Sequence, residues 1–181
     1  MLTNRLFLDF MVDYYKDTPL TGVEIGVYKG KNAIEMLDNL NIKKLYLIDP
    51  YSGDDGYKGG WRCAGADGNF DGLYNAMVKN LAPYKDRIEI IREKSSVAIS
   101  KIPEVDFIYI DGNHEFECVK HDFHSYYPKV KSGGIVAGDN LEMMSVANVI
   151  LHLFSFHNMK LNAANRKDSY EWWGIKHGNG V

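Results

Sequence analysis

Apolar positions along this chain follow two alternating rhythms. Five short runs are almost uniformly apolar: Gly22-Val23-Glu24-Ile25, Leu45-Tyr46-Leu47-Ile48, Ile88-Glu89-Ile90-Ile91, Phe107-Ile108-Tyr109-Ile110 and Gly134-Ile135-Val136-Ala137. Such runs suit strands of a parallel sheet, whose two faces are both covered by helices. Between them lie stripes with a helical period. Phe70, Leu73, Tyr74, Met77, Val78 and Leu81 form the clearest, and Phe116, Val119, Phe123, Tyr127 and Val130 a second. Ala33, Ile34, Leu37 and Leu40 give a third, and Val146, Ala147, Ile150 and Phe154 a fourth. Leu2, Leu6, Phe10 and Tyr14 predict a leading helix that ends near Pro19.

Strand and helix therefore alternate five times, which predicts right-handed crossovers and a doubly wound, mostly parallel α/β sheet. The tail breaks the rhythm. Residues 159–165 and 170–176 read as two strands joined by a polar turn, Arg166-Lys167-Asp168-Ser169. A C-terminal antiparallel hairpin on one edge brings the sheet to seven strands. No repeat, linker or low-complexity tract interrupts residues 1–181, which read as one domain.

Ligands of open α/β sheets bind beyond the carboxyl ends of the strands, where strand order reverses. The informative residues are thus those just after each run: Gly26 to Gly30, Asp49, Ser95 and Ser96, Asp111, and Asp139-Asn140. One aspartate there could be a helix cap; three on one rim look like a site. In Glu24-Ile25-Gly26-Val27-Tyr28-Lys29-Gly30 the glycines stand four apart, and Tyr28 occupies the place of the second glycine of a dinucleotide fingerprint. A nicotinamide cofactor is thereby disfavoured, and a plain strand-to-helix turn stays open. Asp49 follows roughly 20 residues on, where a carboxylate can accept from both ribose hydroxyls. Turn chemistry at Asp49-Pro50 is the alternative. Together the two features favour a nucleoside ligand.

With Tyr109-Ile110-Asp111-Gly112-Asn113-His114 and Gly138-Asp139-Asn140, this pattern resembles class I S-adenosylmethionine-dependent methyltransferases. It is most similar to methyltransferase family 24, which includes macrocin-type sugar O-methyltransferases, and its rim resembles that of catechol O-methyltransferase. The resemblance spans about residues 22–140 and returns at Tyr170-Glu171-Trp172-Trp173. It implies a Rossmann-like methyltransferase fold with S-adenosyl-L-methionine as cofactor. Glu24, Gly26, Tyr28 and Gly30 would hold the methionine part, Asp49 the ribose, and Ser95 would lie beside the adenine. Asp111, which also borders the cofactor, would bind Mg²⁺ or Mn²⁺ with Asp139 and Asn140. His114 would be the general base.

Elementary chemistry agrees with that implication. Two carboxylates and an amide oxygen are hard donors suited to Mg²⁺, and a nearby imidazole can accept a hydroxyl proton. Sulfonium methyl transfer then needs mainly an aligned nucleophile. The bland alternative makes Asp139-Asn140 a helix cap. The expected activity is metal-assisted O-methylation of a small hydroxylated acceptor, a sugar or natural product. Its rivals are a metal-independent methyltransferase and a non-catalytic nucleoside-binding module.

Composition narrows the partners. A formal net charge of -3 gives no field to attract nucleic acid, and no basic residues interleave the aromatics, so no nucleic-acid partner is expected. Two cysteines, Cys63 and Cys118, outside any CxxC, argue against a disulfide scaffold and for a reducing compartment. Asp9 and Asp13 interrupt the N-terminal apolar residues, and no run approaches the roughly 20 apolar residues of a membrane span. A soluble, cytoplasmic protein without a membrane partner is expected, with the leading helix and tail hairpin able to support a homodimer.

Three segments add secondary expectations. Residues 51–69, rich in Gly and Asp with Tyr57, Trp61 and Arg62 embedded, read either as a substrate lid or as a surface insertion. Cys118, His121 and His124 have a spacing that suggests zinc, but His121-Asp122 and His124 flank the Val119–Phe123 stripe and are expected to face solvent. Trp172 and Trp173 point to opposite faces of a strand, at least one of them core.

Overall fold

The computed structural model describes residues 5–52, 68–166 and 169–178. The elements are α1 (Leu6–Tyr15), β1 (Leu20–Ile25), α2 (Lys31–Asn39), β2 (Ile42–Ile48), α3 (Phe70–Leu81), β3 (Ile88–Ile91) and α4 (Ser95–Ala98). Then follow β4 (Val105–Ile110), α5 (Phe116–Tyr126), β5 (Val130–Gly138), α6 (Met144–Phe156), β6 (Asn162–Arg166) and β7 (Ser169–Ile175). The seven strands form one sheet in the order β3-β2-β1-β4-β5-β7-β6. Strands β1 to β5 are parallel, while β7 runs antiparallel to both β5 and β6. Strand order reverses between β1 and β4, so the switch point lies mid-sheet.

The apolar runs become strands because each feeds two cores. Along β4, Phe107 and Tyr109 face one side, packed with Phe7, Met36 and Met77 from α1, α2 and α3. Ile108 and Ile110 face the other, with Phe123 and Ile150 from α5 and α6. Trp172 and Trp173 are both buried, one in each core, so the pair closes both faces near the antiparallel edge. The side chain of Asn69 caps α3 by accepting from the Gly72 N–H at 2.8 Å.

Two expectations need correction. In α1 the buried face is Phe7, Leu8 and Met11, whereas Leu6 and Tyr14 are exposed. The i, i+4 stripe of Leu6, Phe10 and Tyr14 lies beside the face that packs on the sheet. Asp122 also turns inward. It is buried and accepts from the Ser95 hydroxyl at 2.5 Å, although the flanking His121 and His124 are exposed as expected. Leu2, Trp61, Cys63, Lys167 and Asp168 lie outside the described residues, as does nearly all of the 51–69 segment. No helix among the described residues is long and apolar enough to cross a membrane.

Candidate active site

The strand ends deliver the rim residues side by side. Asp111 N–H donates to the Ile25 carbonyl at 2.8 Å, and Asp139 N–H to the Ile110 carbonyl at 3.2 Å, so β1, β4 and β5 end in register. At the first turn Gly26 has φ +85°, and a Cβ there would sit 2.1 Å from the Asp111 carbonyl oxygen. Only glycine lets β1 turn away so close to the end of β4. Gly30 has φ +79° at the N-terminus of α2. Tyr28 between them adopts φ 51°, a left-handed conformation that costs a non-glycine residue about 1–3 kcal/mol.

Asp49 holds that strained turn. Its Oδ2 accepts the N–H groups of Val27 and Tyr28, each at 3.0 Å, and its Oδ1 accepts the Tyr51 N–H at 2.9 Å. The hydroxyl of Tyr51 donates to the Tyr28 carbonyl at 2.7 Å. The turn alternative for Asp49 is therefore real, and it coexists with a half-buried carboxylate facing the glycine turn.

Glu24 lies beneath the turn, fully buried on β1. Burial pushes its carboxyl up to about 8, against the hydrogen bond that Asn32 donates at 3.0 Å. Glu24 Oε2 and Asn32 Oδ1 are buried without a donor. Two orphan acceptors under a glycine turn match the chemistry of a ligand ammonium group, such as that of a methionine moiety. Ser95 opens α4, where its hydroxyl bonds Asp122 and its carbonyl accepts from the Tyr126 hydroxyl at 2.8 Å. These bonds fix Ser95 against α5.

On the far side of the switch point, His114 Nε2 lies 3.4 Å from Asp111 Oδ1, and both side chains keep about a quarter of their exposure. Burial and the like charge of Asp139 raise the Asp111 carboxyl, and the bond to His114 opposes the shift. Asp139 is fixed from below, its carbonyl accepting from Trp172 Nε1 at 3.1 Å. Asn140 has φ 61° and donates from its side chain to Glu142 at 3.1 Å. Helix α6 begins only at Met144, with Met143 as its N-cap, so Asp139 and Asn140 do not cap it. Among the described residues no group of three or more His, Cys, Asp or Glu side chains is arranged to hold a metal ion. The chemistry of Asp111, Asp139 and Asn140, two carboxylates and an amide on adjoining strand ends, still suits a hard cation.

The sequence missed one rim residue. Arg166 ends β6, and its guanidinium lies 3.0 Å from Glu35 and 3.4 Å from Asp139. The sequence pattern put Arg166 in the polar turn, whereas it is the last residue of β6, on a strand whose carboxyl end shares the rim. A second missed group lies deeper: Arg5, Glu171 and Tyr109 form a buried cluster, Arg5 also pairing with Glu35 at 2.8 Å.

Comparison with known proteins gives a consistent picture. Residues 23–141 match the family described as a methyltransferase domain. Uncharacterized protein R132 of Acanthamoeba polyphaga mimivirus is 26% identical over 142 residues. That match takes in 75% of this chain and 58% of the viral protein, so the chain spans little more than half of that relative. An rRNA methylase from Streptococcus thermophilus superposes with a TM-score of 0.68 at 11% identity, covering 98% of each chain. The O-methyltransferase NovP superposes with a TM-score of 0.65 at 16% identity, covering 95% of this chain and 80% of its own. Likeness at that identity speaks for the fold alone. The family match covers most of the chain: it belongs to the methyltransferase-domain family and has the Rossmann-like fold of class I S-adenosylmethionine-dependent methyltransferases.

Proposed function

We propose that the chain transfers the methyl group of S-adenosylmethionine to the hydroxyl of a small acceptor, a sugar or natural product of the macrocin type. One observation carries the reading: the strained glycine turn with Asp49 and the Asp111–His114 pair stand on either side of the same switch point. Glu24 and the Gly26, Tyr28 and Gly30 turn receive the methionine part, Asp49 the ribose, and Ser95 borders the adenine, with Asp111 at the cofactor's edge. Asp111, Asp139 and Asn140 hold Mg²⁺ or Mn²⁺, which when bound makes a nearby hydroxyl more acidic.

The chain's own residues supply the proton path. With Nε2–H donated to Asp111, Nδ1 of His114 carries the lone pair that takes the hydroxyl proton. The hydroxyl oxygen forms the new bond to the methyl carbon. The carbon–sulfur bond breaks and leaves its electron pair on sulfur, giving neutral S-adenosylhomocysteine. A net charge of -3 supports a small acceptor over a polyanion. The test is transfer of labelled methyl to a panel of sugars, phenols and RNA, with and without chelator. Label on small hydroxylated acceptors, lost with chelator and restored by Mg²⁺ or Mn²⁺, is expected. Label on RNA alone would move the acceptor class, and cofactor binding without turnover would make the chain a sensor.

Glu24 makes cofactor binding pH-dependent. Its pKa is raised in the folded chain to about 8, so its proton must leave before the carboxylate can accept from an ammonium. S-adenosylhomocysteine should therefore bind more tightly as pH rises from about 6 to about 8, with proton release. Calorimetry in buffers of different ionisation enthalpy should show that release in the wild type and lose it in Glu24→Gln. Equal proton release by both proteins, or none by either, would remove Glu24 from the methionine site.

A further inference from the structure

Strands β5 and β6 both run antiparallel to β7, so their carboxyl ends reach the same rim. That brings Arg166, the last residue of β6, over Asp139, the first residue after β5. One guanidinium nitrogen lies 3.4 Å from Asp139 Oδ2 and the other 3.0 Å from Glu35 Oε2. The second Asp139 oxygen accepts the Asn140 N–H at 2.8 Å. The ion pair is well shielded, with side-chain exposures of 20% for Arg166 and 9% for Asp139. A guanidinium cannot be deprotonated, so this positive charge is permanent.

We infer that Arg166 is a built-in rival of the divalent cation, neutralising Asp139 while the metal is absent and retreating to Glu35 when the metal binds. The inference rests on the metal reading of Asp111, Asp139 and Asn140. Two cations on one carboxylate repel, so the ion and the Arg166–Asp139 contact exclude each other. Retreat is possible because Glu35 already holds the guanidinium at the shorter distance. Linkage then works in both directions: Arg166 weakens metal binding, and metal binding frees the end of β6 from Asp139. Arg166 also raises the threshold for wrong loading, since only an ion bound by the other rim donors can displace it.

The test is Mn²⁺ titration of the full chain, followed by the paramagnetic resonance of the free ion, which requires no turnover. Arg166→Met, which keeps an apolar stem but no charge, should bind Mn²⁺ at least about tenfold more tightly than the wild type. Glu35→Gln removes the retreat and should bind it several-fold more weakly, which keeps the inference testable if Arg166→Met fails to fold. Asp139→Ala should abolish binding and so identify the site. Wild-type binding that Asp139→Ala abolishes, but that Arg166→Met leaves unchanged or weakens, overturns the rivalry and spares the metal reading. Failure of the wild type and a folded Arg166→Met to retain Mn²⁺ overturns the metal reading, and the rivalry with it.

Discussion

Replacing His114 with alanine should slow methyl transfer by roughly 10²-fold or more while leaving cofactor affinity nearly unchanged. The imidazole lies 3.4 Å from Asp111 and keeps about a quarter of its exposure, so it can meet an acceptor without being needed by the core. Its removal deletes the group that takes the hydroxyl proton. Solvent base can substitute only as pH rises, so the variant should regain activity at high pH more than the wild type does. Single-turnover rates separate this from a binding defect. A wild-type rate in the variant would assign the proton to another acceptor, and a large loss of cofactor affinity would make His114 a binding residue.

The largest stability effect should come from Glu171→Ala, which is expected to cost about 3–5 kcal/mol of unfolding free energy. Glu171 is 1% exposed, and its Oε1 accepts from Arg5 and from the Tyr109 hydroxyl, the latter at 2.7 Å. Arg5 is itself 5% exposed. Burial alone would lower its pKa, yet the Glu171 bond and the surrounding negative charge raise it, so the guanidinium stays ionised. Truncating Glu171 removes the most deeply buried of the counter-ions described for that charge and leaves it beside Tyr109 and the half-buried Glu35. Replacing Arg5 and Glu171 together with apolar residues should cost much less, because no buried charge is then stranded. Urea denaturation of the three variants measures the difference. A loss below about 1 kcal/mol for Glu171→Ala would mean that water or Glu35 compensates Arg5.

The same two regions explain what the sequence could and could not reveal. Strands β1 to β5 were legible because burial on both faces leaves continuous apolar runs, and their carboxyl ends pointed directly to Asp49, Asp111 and Asp139. Their adjacency also followed, since β4 and β5 are neighbours in a doubly wound order. The polar cluster was not legible. Arg5 and Glu171 are separated by 166 positions, and nothing in local periodicity distinguishes a buried ion pair from surface charge. Arg166 and Asp122 were hidden for the same reason: each is a polar residue whose partner comes from another element. In α1, Phe7, Leu8 and Met11 competed with an equally regular stripe one step away, and only packing on the sheet decides between them.

The account depends most on the glycine turn and Asp49 forming a cofactor site. Calorimetric titration with S-adenosylmethionine should give one site per chain in the wild type. In Asp49→Ala, affinity should fall by at least about 2 kcal/mol, roughly thirtyfold, through lost charge-assisted hydrogen bonds and a loosened Val27–Tyr28 turn. No binding to the wild type, or undiminished affinity in a folded Asp49→Ala, would contradict the assignment.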